Sequence, residues 1–274
     1  MLRTLTLWVA RSLPTPIKTW VHQHRGLDQL SRKVFGSAVR AGGRTAVIES
    51  GPMRGIQLAL GEHVSHAHIR GTYELETLEA VDRLVKPGSI CYDLGASIGY
   101  LSLLMARKAK QVFAFEPAPH ARLEMERQIA ANSLTNITIV PLAVSDSEKT
   151  VEFAMTDAAY GSRISSESGA KWQTLTLKTT TLDIFVKEHP FPDFLKIDVE
   201  DEEGRVLAGA RSILQQRRAV ICCEIHSRES ARAVMSILAE YGYLVTTLAG
   251  GPFVVPDDVI PGVVQVIAAP AGVR

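Results

Sequence analysis

Ionisable side chains alternate with apolar ones in two stretches of the second half of the chain. Lys196, Asp198 and Glu200 occupy every second position of the first stretch, as do Glu224 and His226 in the second. A period of two places such side chains on one face of a strand. In an open α/β sheet, the carboxyl ends of neighbouring strands border the ligand crevice. The pattern therefore predicts a catalytic site that handles a proton.

His226 is the first choice of general base, because imidazole titrates near neutral pH. Asp198 or Glu200 could serve instead, or could orient an acceptor. A buried charge needs a partner, so Lys196 and one carboxylate could also form an ion pair with no catalytic role. With Glu224 included, the oxygen-rich set would suit Mg²⁺. Because the spacing establishes no ligand geometry, we predict no metal site.

A glycine turn in the first half of the chain predicts a cofactor site. Asp93 ends an apolar run, Gly95 and Gly99 open a turn, and a helix-forming stretch follows at once. This layout presents backbone N–H groups and a helix N-terminus to a nucleotide-like ligand. The next apolar run ends in Glu116, where an acid can accept the hydroxyl groups of a ribose. The alternative, a glycine turn that binds nothing, leaves Glu116 unexplained.

The glycine spacing distinguishes between two cofactors. A dinucleotide site uses Gly-x-Gly-x-x-Gly, whereas this turn lacks the middle glycine and has Asp93 at the strand end. A carboxylate there would repel a pyrophosphate but suits the amino group of a methionine moiety. We therefore predict S-adenosylmethionine rather than NAD, with Asp93 near its ammonium group and Glu116 at its ribose.

The elements that position these residues alternate from about residue 72 onward. Strands are predicted at 89–93, 111–116, 137–140, 193–199, 218–225, 242–248 and 263–268, and helices at 74–84, 99–108, 118–131, 203–216 and 229–241. The alternation predicts an α/β fold with a doubly wound, mostly parallel seven-stranded sheet of Rossmann-like type. The last strand, which no helix precedes, is expected to insert antiparallel at the sheet edge. Segment 146–180 is expected to cover the site as a hairpin or lid.

Length, composition and charge indicate how the chain divides into domains. The 274 residues, 46% of them hydrophobic, have room for one large domain, placed at 71–274, and an extension, 1–70, with a hairpin around 45–60. Residues 1–48 contain eight Lys or Arg and one acidic residue. The remainder of the chain contains 22 Lys or Arg and 28 Asp or Glu. A solvated helical cap is the favoured interpretation. Membrane-surface contact, nucleic-acid contact and a transit peptide are the alternatives.

The compartment is predicted from the cysteines and from the apolar stretches. Cys91, Cys222 and Cys223 have neither zinc-ligand spacing nor a disulfide pattern, which indicates buried thiols in a reducing compartment. The apolar stretch 5–10 is interrupted by Arg11 and is too short to span a membrane. We therefore expect a cytoplasmic protein, with peripheral membrane association through residues 1–44 as an option.

Six sequence blocks, in order and spacing, resemble the FkbM family of class I methyltransferases over residues 71–270. They are Asp93-Leu-Gly95-Ala-Ser97-Ile-Gly99-Tyr100, Phe115-Glu116-Pro117, Ala143-Val-Ser-Asp146, Thr181-Leu-Asp183, Leu195-Lys196-Ile-Asp198-Val-Glu200 and Glu224-Ile-His226. The resemblance implies methyl transfer from S-adenosylmethionine, typically to hydroxyl groups of sugars, glycans or polyketide-like natural products. Ser97 and Asp201 depart from the Asn and Gly that the family usually has there.

Further cofactor contacts follow from the turn and its neighbours. Backbone N–H groups around Ala96 and Ser97 are expected to hold the methionine carboxylate. Pro117 is expected to shape the loop under the adenine, and Ala143 to contact the adenine edge, although it could be an ordinary loop residue.

Two residues before the first strand of the sheet are also candidates. Tyr73 and Glu74 are close enough in sequence to reach over the cofactor or acceptor. An ordinary helix N-terminus, with Thr72 as its cap, explains them nearly as well.

Two other classes of function stay open from the residues alone. A nicotinamide-dependent oxidoreductase could use a similar sheet, and a non-catalytic cofactor-binding or membrane-surface scaffold could use the basic N-terminus. Nucleic acid is an unfavoured partner, because the domain itself is acidic and only the N-terminal arm is basic. A small-molecule or glycan hydroxyl acceptor is the predicted partner, and the sequence is compatible with a homo-oligomer.

Overall fold

The computed structural model describes residues 45–155, 163–164, 173–255 and 263–272. Its strands are β1 (Thr45–Val47), β2 (Gln57–Ala59), β3 (Ile90–Leu94), β4 (Gln111–Phe115), β5 (Ile137–Val140), β6 (Ala143–Val144), β7 (Thr150–Met155), β8 (Arg163–Ile164), β9 (Gln173–Thr180), β10 (Phe194–Ile197), β11 (Val220–Ile225), β12 (Tyr243–Thr247) and β13 (Val264–Pro270). Its helices are α1 (His66–Arg70), α2 (Leu75–Leu84), α3 (Tyr100–Ala106), α4 (Pro119–Ala131), α5 (Leu182–Phe185), α6 (Glu203–Ala208), α7 (Arg211–Gln216) and α8 (Arg228–Glu240).

Seven strands form the central sheet in the order β12-β13-β11-β10-β3-β4-β5. The pairs β11–β10, β10–β3, β3–β4 and β4–β5 are parallel. The chain order reverses between β3 and β10, so the carboxyl ends of these two strands flank the crevice in which an open α/β sheet binds ligands. The predicted α/β fold and its mostly parallel seven-stranded sheet are confirmed.

The position of the last strand corrects one expectation. β13 is antiparallel, as predicted, but it lies between β11 and β12 rather than at the sheet edge. Its central residues Val266, Ile267 and Ala268 are buried on both faces, which suits an interior strand. β12 takes the edge position, where Leu244 is 64% exposed.

Alternation along the strands divides the apolar side chains between two cores. In β3, Tyr92 packs into the core on one side of the sheet and Cys91 into the core on the other. In β11, the adjacent Cys223 and Cys222 divide in the same way. All three cysteines are buried free thiols, as predicted.

The predicted helix 203–216 is two helices. α6 ends at Ala208 and α7 begins at Arg211. The chain bends at Gly209, where a side chain would collide with the Ser145 carbonyl oxygen and crowd the Thr181 Cβ at 3.2 Å. Close packing against the loop after β6 thus interrupts a stretch whose local pattern is helical.

The predicted hairpin near residue 50 is present as the antiparallel pair β1–β2. Side-chain amides on α4 and at its C-cap attach it to the sheet domain. Gln128 accepts a hydrogen bond from the Ala59 amide and donates one to the Ala59 carbonyl, both at 2.8 Å. Asn132 bonds the Gln57 amide and carbonyl at 2.9 and 2.7 Å. The two side chains therefore bond the backbone of β2 much as a neighbouring strand would.

The segment between β6 and α5 contains the predicted hairpin. β7 and β9 pair antiparallel from Thr150↔Lys178 to Met155↔Gln173. Phe153 of β7 is buried and reaches the cavity described below. The hairpin thus adds an aromatic side chain to the ligand crevice.

Predictions about the N-terminal arm fall outside the described residues. These are the helical cap and the contact of residues 1–44 with a membrane surface. The domain boundary at residue 70 also stays a prediction. Within the described ranges, no helix has both the length and the apolar composition needed to cross a bilayer.

The β3–α3 turn depends on left-handed backbone at three positions, Gly95, Ser97 and Gly99, with φ of 75°, 50° and 81°. A Cβ at Gly95 would overlap the Asp198 carbonyl oxygen, and one at Gly99 would lie 2.6 Å from Met125 Cγ. Glycine is required at Gly95 both for its φ and because the backbone that follows β10 passes directly over it.

Two glycines with similar φ separate these effects. Gly88 has φ 82° and open space at its Cβ position. We expect Gly88→Ala to lower the free energy of unfolding by about 1–2 kcal/mol, the cost of left-handed backbone. Gly95→Ala should cost about 1–3 kcal/mol more, because the Asp198 carbonyl must move. Urea denaturation measures both, and equal losses would contradict the close approach.

Candidate active site

A cavity opens at the carboxyl ends of β3, β4 and β10. Gly95, Ser97, Glu116 and Pro117 line one side of it. The apolar wall comes from Leu142, Ala143, Val144, Phe115 and Phe153. Asp198, Glu200 and Glu202 line the side next to β10. The cavity thus joins the predicted cofactor turn to two of the predicted catalytic carboxylates.

Glu116 is held rigidly at this cavity. Its Oε2 accepts a hydrogen bond from the Ser97 amide at 2.8 Å, and its Oε1 accepts one from the Ala118 amide at 2.7 Å. Burial raises the pKa of this carboxyl to about 7, against the lowering effect of the two N–H donors. The carboxyl therefore titrates near neutral pH, oriented toward a ligand by its own backbone.

The backbone N–H groups of the turn already have partners. The Ala96 amide donates to the Phe115 carbonyl at 3.0 Å, and the Ser97 amide donates to Glu116. Both amides thus have partners within the chain, and the expectation that N–H groups around Ala96 and Ser97 hold the methionine carboxylate stays a prediction. Ser97 lines the cavity, whereas Ala96 and Gly99 are not among the lining residues.

Three other predicted cofactor residues lie away from the cavity lining. Asp93 is 1% exposed, and the Ser102 hydroxyl donates to it at 2.5 Å. Tyr73 stacks on His68 with ring centroids 4.0 Å apart. Glu74, rather than Thr72, is the N-cap of α2 and has φ 44°. Their contacts with the cofactor stay predictions.

Lys196 is the buried cation of the site. Its side chain is 2% exposed, and Nζ lies 2.7 Å from Asp198 Oδ2. Lys196 pairs in register with Asp93 of β3. Burial alone would lower the pKa of Lys196, but the charges of Asp198, Asp93 and Glu224 outweigh it and raise the pKa above its ordinary value. The ion pair that the sequence left as an alternative is therefore present.

His226 lies at the centre of a group of carboxylates. Its Nε2 is 3.6 Å from Asp198 Oδ1, from Glu200 Oε2 and from Glu224 Oε1. Its Nδ1 is 2.7 Å from Glu203 Oε1. Burial would lower the pKa of His226, but the Glu203 hydrogen bond and the charges of Glu200 and Asp198 raise it to about 9. The structure thus brings together all five predicted catalytic residues.

A comparison with protein families identifies the domain. A family model described as the methyltransferase FkbM domain matches residues 93–245, more than half of the chain. The chain belongs to the FkbM methyltransferase family. The resemblance in the six blocks is confirmed, and S-adenosylmethionine is the cofactor of this methyltransferase domain.

Individual proteins are similar over parts of the chain. Hexuronic acid methyltransferase AglP of Haloferax volcanii is 33% identical over 156 residues, which are 55% of this chain and 62% of that protein, less than two thirds of its length. An FkbM methyltransferase structure from Methylobacillus flagellatus is 15% identical, with TM-score 0.43, covering 75% of this chain and 55% of that one. A precorrin-6y C5,15-methyltransferase from Geobacter metallireducens is 12% identical, with TM-score 0.46 and coverage of 72% and 89%.

The cavity has the donor set that S-adenosylmethionine requires. Glu116 would accept hydrogen bonds from the ribose hydroxyls. The wall formed by Leu142, Ala143 and Phe153 would cover the adenine, while Asp198 and Glu200 would face the positive sulfonium. Gly95, which has no Cβ, leaves room beside the turn.

Sequence reasoning missed two residues that support the FkbM site. Glu203 is fully buried and accepts hydrogen bonds from His226 and from the Ser230 hydroxyl. Gln265 donates to Glu224 Oε2 at 2.6 Å. An acid in the first turn of an amphipathic helix is ordinarily solvated, so only the position of α6 against β11 could reveal Glu203. The contact of Gln265 with Glu224 could be found only once β13 was known to pair with β11, which places the two residues opposite each other.

We expect the Lys196 ammonium to stabilise the fold strongly. Lys196→Met would leave Asp93 and Asp198 without their nearest cation, and should lower the free energy of unfolding by about 3–5 kcal/mol. The matched control is Lys108→Met, which removes an exposed ion pair with Asp82 at 2.8 Å and should change it by less than about 1 kcal/mol. Urea denaturation compares the two variants. Similar small losses would show that the buried charge is dispensable.

Glu116 should make cofactor affinity depend on pH. Because its pKa is about 7, the ionised form that accepts ribose hydroxyls becomes dominant as pH rises from about 6 to about 8. The affinity for S-adenosylhomocysteine, measured by calorimetry, should therefore rise over that range. The Glu116→Gln variant has no titrating group at this position. Its affinity for S-adenosylhomocysteine should be weaker than that of the wild type and should not change with pH. A wild-type affinity that is constant over the same range would contradict this role.

The same raised pKa has a consequence for the ligand-free fold. The folded state holds the Glu116 proton more tightly than the unfolded chain, so the contribution of this group to stability falls as pH rises from about 4.5 to about 7.

Proposed function

We propose that the protein transfers a methyl group from S-adenosylmethionine to a hydroxyl oxygen of a sugar or glycan. One observation carries this proposal: Glu116 and the carboxylates Asp198 and Glu200 line the same cavity. A ribose-binding acid and a proton-accepting group thus border one space. The similarity to a hexuronic acid methyltransferase supports a sugar as the acceptor. Polyketide-like natural products are the broader class.

The protein's own residues would chiefly provide position. When bound, S-adenosylmethionine supplies a methyl group on a positively charged sulfur. Glu116 would hold the ribose, and Asp198 and Glu200 would accept a hydrogen bond from the acceptor hydroxyl and place its oxygen for in-line attack. The rate advantage would come mainly from holding the acceptor oxygen on the axis of displacement.

The proton of the acceptor hydroxyl must leave as the oxygen–methyl bond forms. With a pKa of about 9, His226 is protonated at neutral pH and has no lone pair to accept it. We therefore assign the base to Asp198 or Glu200, the carboxylates that line the cavity, with His226 orienting them. This assignment reverses the order of preference derived from the sequence.

Two alternative functions were left open by the sequence, an oxidoreductase and a non-catalytic scaffold. Membership of the FkbM family removes the grounds for a nicotinamide-dependent oxidoreductase. The scaffold alternative relied on basic residues 1–44, which are outside the described ranges. We retain as proposals the extension at 1–70, its weak contact with a membrane surface, the cytoplasmic location and the homo-oligomer.

The test uses S-adenosylmethionine carrying a radiolabelled methyl group, with hexuronic acids and the corresponding neutral hexoses, free and as glycosides. We expect label in a sugar product from the wild type and from Glu126→Ala, an exposed acid on α4. Glu116→Ala should lose both product and S-adenosylhomocysteine binding. Mild saponification should leave the label in place, since an ether resists it. Label released by saponification, or binding without transfer to any sugar, would overturn the proposal.

A further inference from the structure

We infer that Asp198, Glu224 and His226, with Glu200 beside them, form a binding site for one divalent cation of the Mg²⁺ or Mn²⁺ class. The existence of this site rests on the geometry of the chain alone. Its use in polarising an acceptor hydroxyl rests on the methyl transfer proposed above.

The ligand atoms converge on one point. One atom each from Asp198, Glu224 and His226 lies within 4.8 Å of the other two. His226 Nε2 is 3.6 Å from the nearest oxygen of each carboxylate, beyond hydrogen-bond reach, although the imidazole is only 10% exposed. Adjacent ligands of an octahedral Mg²⁺ lie about 3.0 Å apart. Shifts of about 0.6 Å would bring His226 Nε2 to that separation from each carboxylate, and the two carboxylate oxygens, which lie within 4.8 Å of each other, would also have to approach.

Groups outside the cluster fix each ligand in the orientation that a metal needs. Lys196 bonds Asp198 Oδ2 and leaves Oδ1 facing His226. Gln265 bonds Glu224 Oε2 and leaves Oε1 facing the same point. Glu203 accepts from His226 Nδ1, so Nε2 is directed inward. A bound ion would take the place of the Nε2 proton, which is released on binding. A histidine bound through its second nitrogen to a carboxylate is the usual outer-shell arrangement of protein metal ligands.

The charge balance also favours a cation. Four carboxylates surround His226: Asp198 and Glu200 after β10, Glu203 of α6 and Glu224 of β11. Asp93 of β3 adds negative charge beside Lys196. Lys196 is the permanent cation that pairs directly with Asp198. Buried carboxylates in excess are stabilised by metal coordination. The negative potential of these carboxylates would attract a divalent ion to the point on which the ligand atoms converge.

The donor set selects the class of ion. Two or three carboxylate oxygens with one imidazole suit Mg²⁺ or Mn²⁺, and no thiolate is present to favour a softer metal. Asp198 and Glu200 also line the cavity, so an ion held by them would have open positions toward an acceptor oxygen.

The first test is titration of the chelator-treated full chain with Mn²⁺, without methyl donor or acceptor. We expect one saturable ion per chain. Glu203→Gln should weaken it by about 10–100-fold and His226→Ala at least as much. The matched control is Glu229→Gln, which removes an exposed carboxylate in the first turn of α8, and it should retain the affinity. Retained binding in His226→Ala, or no saturable binding by the wild type, would overturn the inference.

A second measurement needs no variant to fold. The electron paramagnetic resonance signal of Mn²⁺ bound to the wild type should show coupling to an imidazole nitrogen, and excess Mg²⁺ should displace it. A signal with no nitrogen coupling would overturn the assignment of His226 as a ligand. Because neither readout requires turnover, absence of methyl transfer would leave them unaffected.

Discussion

The buried Lys196 ammonium is the interaction on which the rest of the site depends. It lies in the middle of the sheet, between β3 and β11, where an unpaired charge would be expensive. Asp198 pairs with it directly, and Asp93 and Glu224 contribute opposite charge. Because Lys196 draws Asp198 back toward the strand end, one oxygen of that carboxylate is held while the other is directed at His226. One carboxylate therefore takes part both in the buried ion pair and in the acid cluster around His226.

A close backbone approach links this charged region to the cofactor turn. The Asp198 carbonyl passes over Gly95 so tightly that no side chain fits. The chain then takes left-handed backbone at Glu200 and Asp201, with φ of 51° and 73°, and enters α6, which carries Glu203 beneath His226. Any displacement of the turn must therefore move the acid cluster as well. The glycine turn and the acid cluster are thus coupled through backbone rather than through flexible side chains.

The two departures from the family pattern have one physical explanation. Ser97 and Asp201 both have positive φ, the conformation in which Asn and Gly are the favoured residues. The family's Asn and Gly at these positions suit the left-handed backbone, and this chain adopts the same backbone with residues that tolerate it less well. The Asp201 amide donates to Glu203 at 3.1 Å, so the strained segment also supports the buried acid.

Local patterns determined much of the fold and the cofactor. The glycine turn after Asp93 and the acid at Glu116 predicted S-adenosylmethionine, since turn geometry and strand-end position follow from neighbouring residues. Alternation predicted the strands, but not that β13 lies inside the sheet, because strand order depends on which faces are buried after folding. Only the tertiary structure decided that Glu203 and Gln265 hold His226 and Glu224, and that neighbouring carboxylates raise the pKa of His226. Those outcomes depend on charges and hydrogen bonds brought together from distant parts of the chain, which no local spacing encodes.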